Sequence, residues 1–130
     1  MKLTELVVDV KTVWLKYEGV PGFEVQVNYI PRTEMTKMVK DCQTSKMNRK
    51  TRSVEMELDD EKFLKKFVRR AISNWKGLTT ENIGNFLPIK ETEEKGEIEF
   101  SEEAAIYLVK ESGEFDEWLN EKITDIDSFR

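Results

Sequence analysis

Carboxylates and lysines are the only side chains abundant enough in this sequence to supply catalytic chemistry. A carboxylate two residues before a lysine is a pattern with which a metal-dependent nuclease can hold a cation and orient water. Three such pairs occur in the chain: Asp9/Lys11, Asp60/Lys62 and Glu93/Lys95. Random placement of the 26 acidic residues and 15 lysines would give about this many pairs, so the pattern carries no signal for a nuclease.

The absence of histidine removes most of the remaining catalytic chemistry. Ser-His and Cys-His catalytic pairs need an imidazole, and mixed Cys/His zinc sites need ligands that this chain lacks. A lone Cys42 cannot form an internal disulfide or a cysteine-based zinc site. The glycines form no phosphate-binding loop, and the glutamates of residues 91–99 lack the spacing of a calcium loop. We therefore expect no enzymatic activity, no cofactor and no metal.

Charge is distributed unevenly along the chain, whose formal net charge is −5. Residues 76–130 hold six basic and 15 acidic side chains, which favours a basic protein partner over a phosphate backbone. The exception is the segment 46–52, where Lys46, Arg49, Lys50 and Arg52 lie within seven residues. We interpret this segment as a solvated loop, with contact to nucleic acid as the alternative function.

The apolar stretches are too short for a membrane segment. None approaches the roughly 20 residues needed to cross a bilayer. The first residues reach Glu5 without the apolar run of a secretory signal. We therefore expect no membrane partner and a cytoplasmic location.

The first half of the chain is predicted to be rich in strands. The sequence predicts a β-hairpin from three features. Residues 6–15 form a Val-rich strand, residues 18–22 favour a turn, and apolar and polar side chains alternate strictly over 23–30. Pro31 ends the second strand, and a short helix should run from Thr33 to about Cys42. Alternation over 53–58 predicts a third strand that can join the hairpin.

The second half is predicted to be helical. An apolar stripe with i, i+4 spacing predicts a helix from Asp59 or Asp60 through Trp75, stopped by Gly77. Next come a helical turn near 80–87 and a solvated loop over 90–99. Ser101 then opens another helix, and a last helix covers 114–126. The sequence thus predicts one α+β domain, with a strand-rich part at 1–58 and a helical part at 59–130.

Large apolar side chains in the acidic second half are candidates for binding another polypeptide. An aromatic patch framed by charge offers an adhesive face without promoting self-aggregation. Most of these side chains should belong to the core, and a few would line a groove. Met35, Met38, Met47 and Met56 could either adapt to a partner or fill core gaps. The candidate partner-binding residues are Trp75, Phe86, Leu87, Phe115, Trp118 and Leu119.

The order of motifs in the second half resembles a known family. A helix is followed by ISNWKGL at 72–78, then by EFSEEA at 99–104, an apolar helix, and EFDEWL at 114–119. This order is similar to that of the small tail assembly chaperones of long-tailed bacteriophages and prophages. The resemblance covers residues 54–126.

The resemblance implies a non-enzymatic role in virion assembly. A chaperone of this family binds apolar helical stretches of the tape-measure protein, keeps it soluble and helps tail-tube subunits polymerise around it. It would act in the cytoplasm of the bacterial host and leave before the mature virion is complete. The resemblance also implies contact with the tail-tube protein. Whether the chain forms a homo-oligomer is left open by the sequence.

Overall fold

The α+β fold expected from the sequence is confirmed in the computed structural model, which describes residues 1–7 and 11–130. Within these residues the chain forms five α-helices, five strands and two 3₁₀ turns. The helices are α1 Leu3–Leu6, α2 Arg32–Asp41, α3 Asp60–Ala71, α4 Glu102–Glu111 and α5 Gly113–Thr124. The strands are β1 Thr12–Lys16, β2 Glu24–Asn28, β3 Gln43–Asn48, β4 Ser53–Leu58 and β5 Ile72–Lys76. The 3₁₀ turns are Ile83–Asn85 and Ile126–Phe129.

The main sheet is antiparallel and has the strand order β1-β2-β5. The predicted hairpin is confirmed, since the Tyr17 amide donates to the Phe23 carbonyl across the turn at 2.9 Å. Alternation buries Val25 and Val27 of β2 completely. β5 pairs with the other edge of β2, which places Trp75 opposite Val25.

The prediction that α3 continues to Trp75 is wrong. The helix ends at Ala71, and the next five residues form β5. The pairing with β2 slips by one residue near Ser73, so Ile72 and Trp75 are both buried although they are three positions apart. Apolar residues three positions apart therefore fit both a bulged strand and a helix. Pairing with the distant strand β2 determines that this segment is a strand.

The third predicted strand exists, but its predicted partner is wrong. β4 pairs with β3 in a separate hairpin, with Lys46 opposite Glu55, and does not join β1 and β2. The basic segment 46–52, predicted as a loop, forms the end of β3 and the turn that follows it.

The N-terminal prediction is confirmed only in part. Leu6, expected in a strand, lies in the short helix α1, and β1 begins at Thr12. The predicted strand residues 8–10 lie outside the described residues, as does Asp9 of the first acidic-Lys pair.

The helical predictions are otherwise confirmed, because their capping residues act locally. The side chains of Asp59, Ser101 and Ser112 each accept a hydrogen bond from a backbone amide in the first turn of α3, α4 and α5. α2 also forms as predicted and buries Met38. The expected helical turn near 80–87 is the first 3₁₀ turn.

The hydrophobic core joins the sheet to α3, α4 and α5. It includes Phe23 of the hairpin, Phe67 of α3, Leu108 of α4 and Phe115 of α5 in one cluster of buried side chains. The two parts at 1–58 and 59–130 therefore share a core, because β5 from the second part completes the sheet of the first.

Two polar groups connect the sheet to α2 and α3. Asn28 is buried and donates to the Arg70 carbonyl and the Ser73 hydroxyl, both at 2.9 Å. The Arg70 guanidinium binds both carboxylate oxygens of Glu34 and donates to the Tyr29 carbonyl at 2.9 Å. The hydrogen bond from Arg70 lowers the pKa of the Glu34 carboxyl, although burial opposes the shift.

The lowered pKa of Glu34 makes its contribution to stability depend on pH. A carboxyl whose pKa is lowered by folding stabilises the fold above its unfolded pKa and loses this effect as pH falls through the folded pKa. We expect Glu34→Gln to reduce the free energy of unfolding at pH 7, and the difference from the unsubstituted chain to shrink as pH falls below about 4.5. Urea titrations at several pH values measure this difference. A difference independent of pH would contradict the assignment.

Gly77 is required by a close backbone approach to the 18–22 turn. Its φ is +81°, and a Cβ at this position would lie 1.8 Å from the Gly22 carbonyl oxygen. Only glycine combines this backbone conformation with the space available.

Gly77→Ala should therefore destabilise the fold severely. The strained backbone and the forced separation from Gly22 should together cost roughly 2–5 kcal/mol of the free energy of unfolding. Gly96→Ala is the matched control, because a Cβ there meets nothing within 4 Å. Thermal and urea unfolding should show a large loss for the first variant and a small change for the second. Equal effects would contradict the close approach.

Candidate functional site

An apolar groove runs beside α4. Its volume is about 490 Å³. The floor is buried, whereas Tyr107 on the rim is 59% exposed. Its principal apolar lining residues are Trp75, Leu78, Ile83, Leu87, Ile98 and Tyr107.

One wall of the groove is the segment around Ile98. Hydrogen bonds hold this segment against β5 and the residues that follow β5. The Trp75 indole Nε1 donates to the Ile98 carbonyl at 2.9 Å, and the Ile98 amide donates to the Leu78 carbonyl at 2.6 Å. The Gly77 amide donates to the Glu97 carboxylate at 2.8 Å. Trp75 therefore contributes to the core with its ring and positions the groove wall with its Nε1.

Asn82 positions another part of the groove lining. Its side-chain oxygen accepts from the Thr79 amide at 2.6 Å, and its side-chain nitrogen donates to the Gly77 carbonyl at 2.8 Å. These bonds hold the chain at the start of the first 3₁₀ turn. Ile83 of that turn and Leu87, two residues after it, line the groove.

The surroundings of the groove are acidic. Glu103 lines it directly, and Glu99 is exposed in the wall segment. Glu97 and Glu102 are also exposed nearby, but Glu97 accepts from the Gly77 amide and Glu102 pairs with Arg69 at 3.2 Å. A low-polarity groove with carboxylates at its edge suits an apolar segment that carries cationic residues beside its apolar ones.

The six predicted partner-binding residues are divided among different environments. Trp75 and Leu87 line the groove. Phe115 and Leu119 have fully buried side chains, so neither can touch a partner in this conformation. Phe86 is partly exposed and packs in an aromatic cluster, with its ring 4.9 Å from that of Tyr17 and 5.8 Å from that of Phe115.

Trp118 lies away from the groove, in a smaller acidic cleft. The cleft is lined by Tyr17, Glu18, Gly19, Glu114, Glu117, Trp118 and Glu121. The ring centroid of Trp118 is 5.0 Å from that of Tyr17, and burial with the nearby Glu114 carboxylate raises the pKa of Tyr17. The buried Trp118 Nε1 has no protein hydrogen-bond partner among the described residues. Trp118 and the groove are therefore separate features.

Sequence reasoning missed most of the groove lining. Leu78, Ile83 and Ile98 lie in segments without regular periodicity, so no pattern separates a groove residue from a core residue there. Tyr107 gave a usable signal, because it falls outside the apolar side of α4 marked by Ala105 and Leu108.

The described residues do not form a metal site. Residues 1–7 and 11–130 contain no group of three or more acidic or cysteine side chains placed to hold an ion. Asp60/Lys62 lies at the exposed start of α3 and Glu93/Lys95 in an exposed loop. Over the same ranges, no helix combines the length and apolar character needed to span a membrane.

Comparisons with known proteins identify no relative: no protein-family model, curated protein or solved structure matches this chain.

Removing the Trp75 indole nitrogen should loosen the groove wall selectively. Trp75→Phe keeps an aromatic ring but loses the bond to the Ile98 carbonyl, which costs about 1 kcal/mol. The smaller ring also leaves a cavity in the core, which adds to this cost. Hydrogen exchange should become faster at the amides of Thr80 and Ile98. Trp14→Phe, at an exposed position of β1, is the control and should leave these amides unchanged. Unchanged exchange in Trp75→Phe would contradict the role assigned to the indole nitrogen.

Proposed function

We propose that this chain is a tail assembly chaperone of the kind found in long-tailed bacteriophages and prophages. It binds apolar helical segments of a tape-measure protein, keeps that protein soluble and assists polymerisation of the tail tube. The observation that carries the proposal is the apolar groove, which is open to solvent and has the Glu103 carboxylate in its lining. The order of motifs at 72–78, 99–104 and 114–119 supports the same role.

The groove has the chemistry that capture of an amphipathic helix needs. Such a helix presents apolar side chains at positions i, i+3, i+4 and i+7, which enter a hydrophobic groove together. Each large side chain buried there contributes roughly 1.5–3 kcal/mol, so three or four can outweigh the cost of association for a transient complex.

The acidic surface supports the solubilising part of the role. With 15 acidic and six basic side chains over residues 76–130, the groove-bearing half repels other copies of itself and attracts clients that have basic residues. Binding and release of this kind need no catalytic group, cofactor or metal. The proposed site of action is the cytoplasm of the bacterial host, and the chaperone is absent from the mature virion.

A nucleic-acid-associated function is the second candidate. It is favoured by one observation, the exposed cations Lys46, Arg49, Lys50 and Arg52 around the turn between β3 and β4. Salt distinguishes the two functions, because phosphate binding weakens steeply as salt rises and apolar client binding changes little.

Co-expression with a tape-measure protein tests the proposed function. The tape-measure protein should stay soluble only when this chain is present, and Tyr107→Glu should weaken capture roughly ten-fold or more, because a carboxylate replaces an apolar contact at the groove rim. Ile126→Glu is the matched control, since Ile126 is also exposed but lies outside the groove. Equal solubility with and without the chain, or equal loss in both variants, would contradict the proposal.

A further inference from the structure

The acidic cleft around Trp118 is formed where the residues after β1 meet α5. Its volume is about 370 Å³. No lysine or arginine of the described residues lines it. Its charged and aromatic lining residues are Glu18, Glu114, Glu117, Glu121, Tyr17 and Trp118. The cleft therefore combines negative charge with the surface of aromatic rings.

The lysines close to the cleft in the chain neutralise only one of its carboxylates. Lys122 of α5 pairs with Glu18 at 3.6 Å. Lys16 is the last residue of β1 and points to the opposite face of the sheet from Tyr17, because successive side chains of a strand alternate. Within the part of the chain that the structure describes, the cleft carboxylates without an ion pair are those of Glu114, Glu117 and Glu121.

Tyr17 brings an unpartnered polar group to the cleft. The residue is only 6% exposed, and among residues 1–7 and 11–130 its hydroxyl has no hydrogen-bond partner. Burial and the nearby Glu114 carboxylate raise the pKa of Tyr17, so the hydroxyl lies beside a cleft carboxylate and keeps its proton at neutral pH. Its oxygen can accept a hydrogen bond, and the carboxylates only accept. The cleft is therefore suited to a ligand that donates hydrogen bonds.

The spacing of the carboxylates suits an extended cation better than a metal ion. Among the described residues, no group of three or more acidic side chains is placed to hold a metal. Glu114, Glu117 and Glu121 are three and four positions apart on α5, which separates them by about 4.5 and 6 Å along the helix axis. Amino groups joined by three or four carbons have similar separations. A linear polyamine can therefore bring one ammonium group to each carboxylate.

Trp118 provides an apolar surface for the carbon chain of such a ligand. The residue is partly exposed and lies between Glu117 and Glu121 in α5. Its Nε1 is buried, so the cleft presents the ring and not the N–H. An aromatic ring attracts ammonium groups and packs against methylene groups, and a hydrated metal ion has no methylene groups to offer.

We propose that the acidic cleft binds a linear polyamine, with its ammonium groups on Glu114, Glu117 and Glu121 and its methylene groups against Trp118. Tyr17 accepts a hydrogen bond from one ammonium group. A lysine side chain of another protein brings a single ammonium group and binds more weakly. The cleft and the groove share no lining residue among those described, so this site goes beyond client capture and does not depend on it.

Calorimetric titration at low salt with spermidine, whose amines are joined by three and four carbons, tests the site. One spermidine should bind per chain, with a dissociation constant on the order of 100 µM. Glu117→Gln should weaken binding roughly five-fold, because it removes the central carboxylate. Glu111→Gln is the matched control, since it removes the same charge from an exposed residue of α4 outside the cleft, and it should leave the affinity nearly unchanged.

Tyr17→Phe tests the hydroxyl separately from the charge. The phenylalanine ring keeps the core contacts, and the loss of the accepting oxygen should weaken spermidine binding at least about three-fold. The result for Glu117→Gln, at an exposed position, does not depend on whether Tyr17→Phe perturbs the fold.

Ligands of equal charge distinguish this site from a general acidic surface. Both 1,4-diaminobutane and Mg²⁺ carry two charges, but only the diamine has methylene groups to pack on Trp118. The diamine should bind at least about five-fold more tightly than Mg²⁺. It should also bind more tightly than N-acetyl-lysine methylamide, which has one ammonium group.

Five outcomes would overturn the proposal. They are no binding of spermidine, equal losses in Glu117→Gln and Glu111→Gln, unchanged affinity in Tyr17→Phe, Mg²⁺ binding as tight as that of the diamine, and lysine-derivative binding as tight as that of the diamine. Capture of the tape-measure protein by the groove is measured separately, so either proposal can fail alone.

Discussion

The pairing of β5 with β2 is the constraint on which the rest of the structure depends. It places Trp75 opposite Val25 within the core and brings Gly77 against the backbone of Gly22. From this position the Trp75 indole nitrogen donates a hydrogen bond to the Ile98 carbonyl, which holds the segment that forms one wall of the apolar groove. One strand thus completes the sheet, closes the core and fixes the shape of the candidate binding surface.

The sequence predicted those parts of the fold that depend on interactions between residues close in the chain. Helix capping acts over a few positions, and so do the turn residues at 18–22. The first hairpin and the helices α3, α4 and α5, which are capped by Asp59, Ser101 and Ser112, were therefore predictable apart from their ends. The end of α3 and the partner of β4 depend on pairing between distant segments. Of the groove lining, the sequence predicted Trp75 and Leu87, and Tyr107 offered a further signal. Ile83 and Ile98 were not predictable, because they lie in irregular segments that have no periodic pattern.

Two uncovered apolar surfaces lie at opposite ends of α3. The hairpin formed by β3 and β4, where Met47, Val54 and Met56 are exposed, precedes its first turn, and the groove residues Trp75 and Leu78 follow its last turn. The helix has 12 residues and is about 18 Å long. The first surface is flat and has a basic tip, whereas the second is concave and acidic. Their different shapes and charges suit different partners.

The hairpin formed by β3 and β4 contributes no residue to the core cluster, so its opening leaves the core packing in place. Local opening of such a unit does not require the core to unfold, so its stability differs from that of the whole chain. All three tryptophans, Trp14, Trp75 and Trp118, lie outside this hairpin. An unfolding curve recorded from intrinsic fluorescence therefore follows the sheet and its helices, and the melting of β3 and β4 goes unseen by that probe.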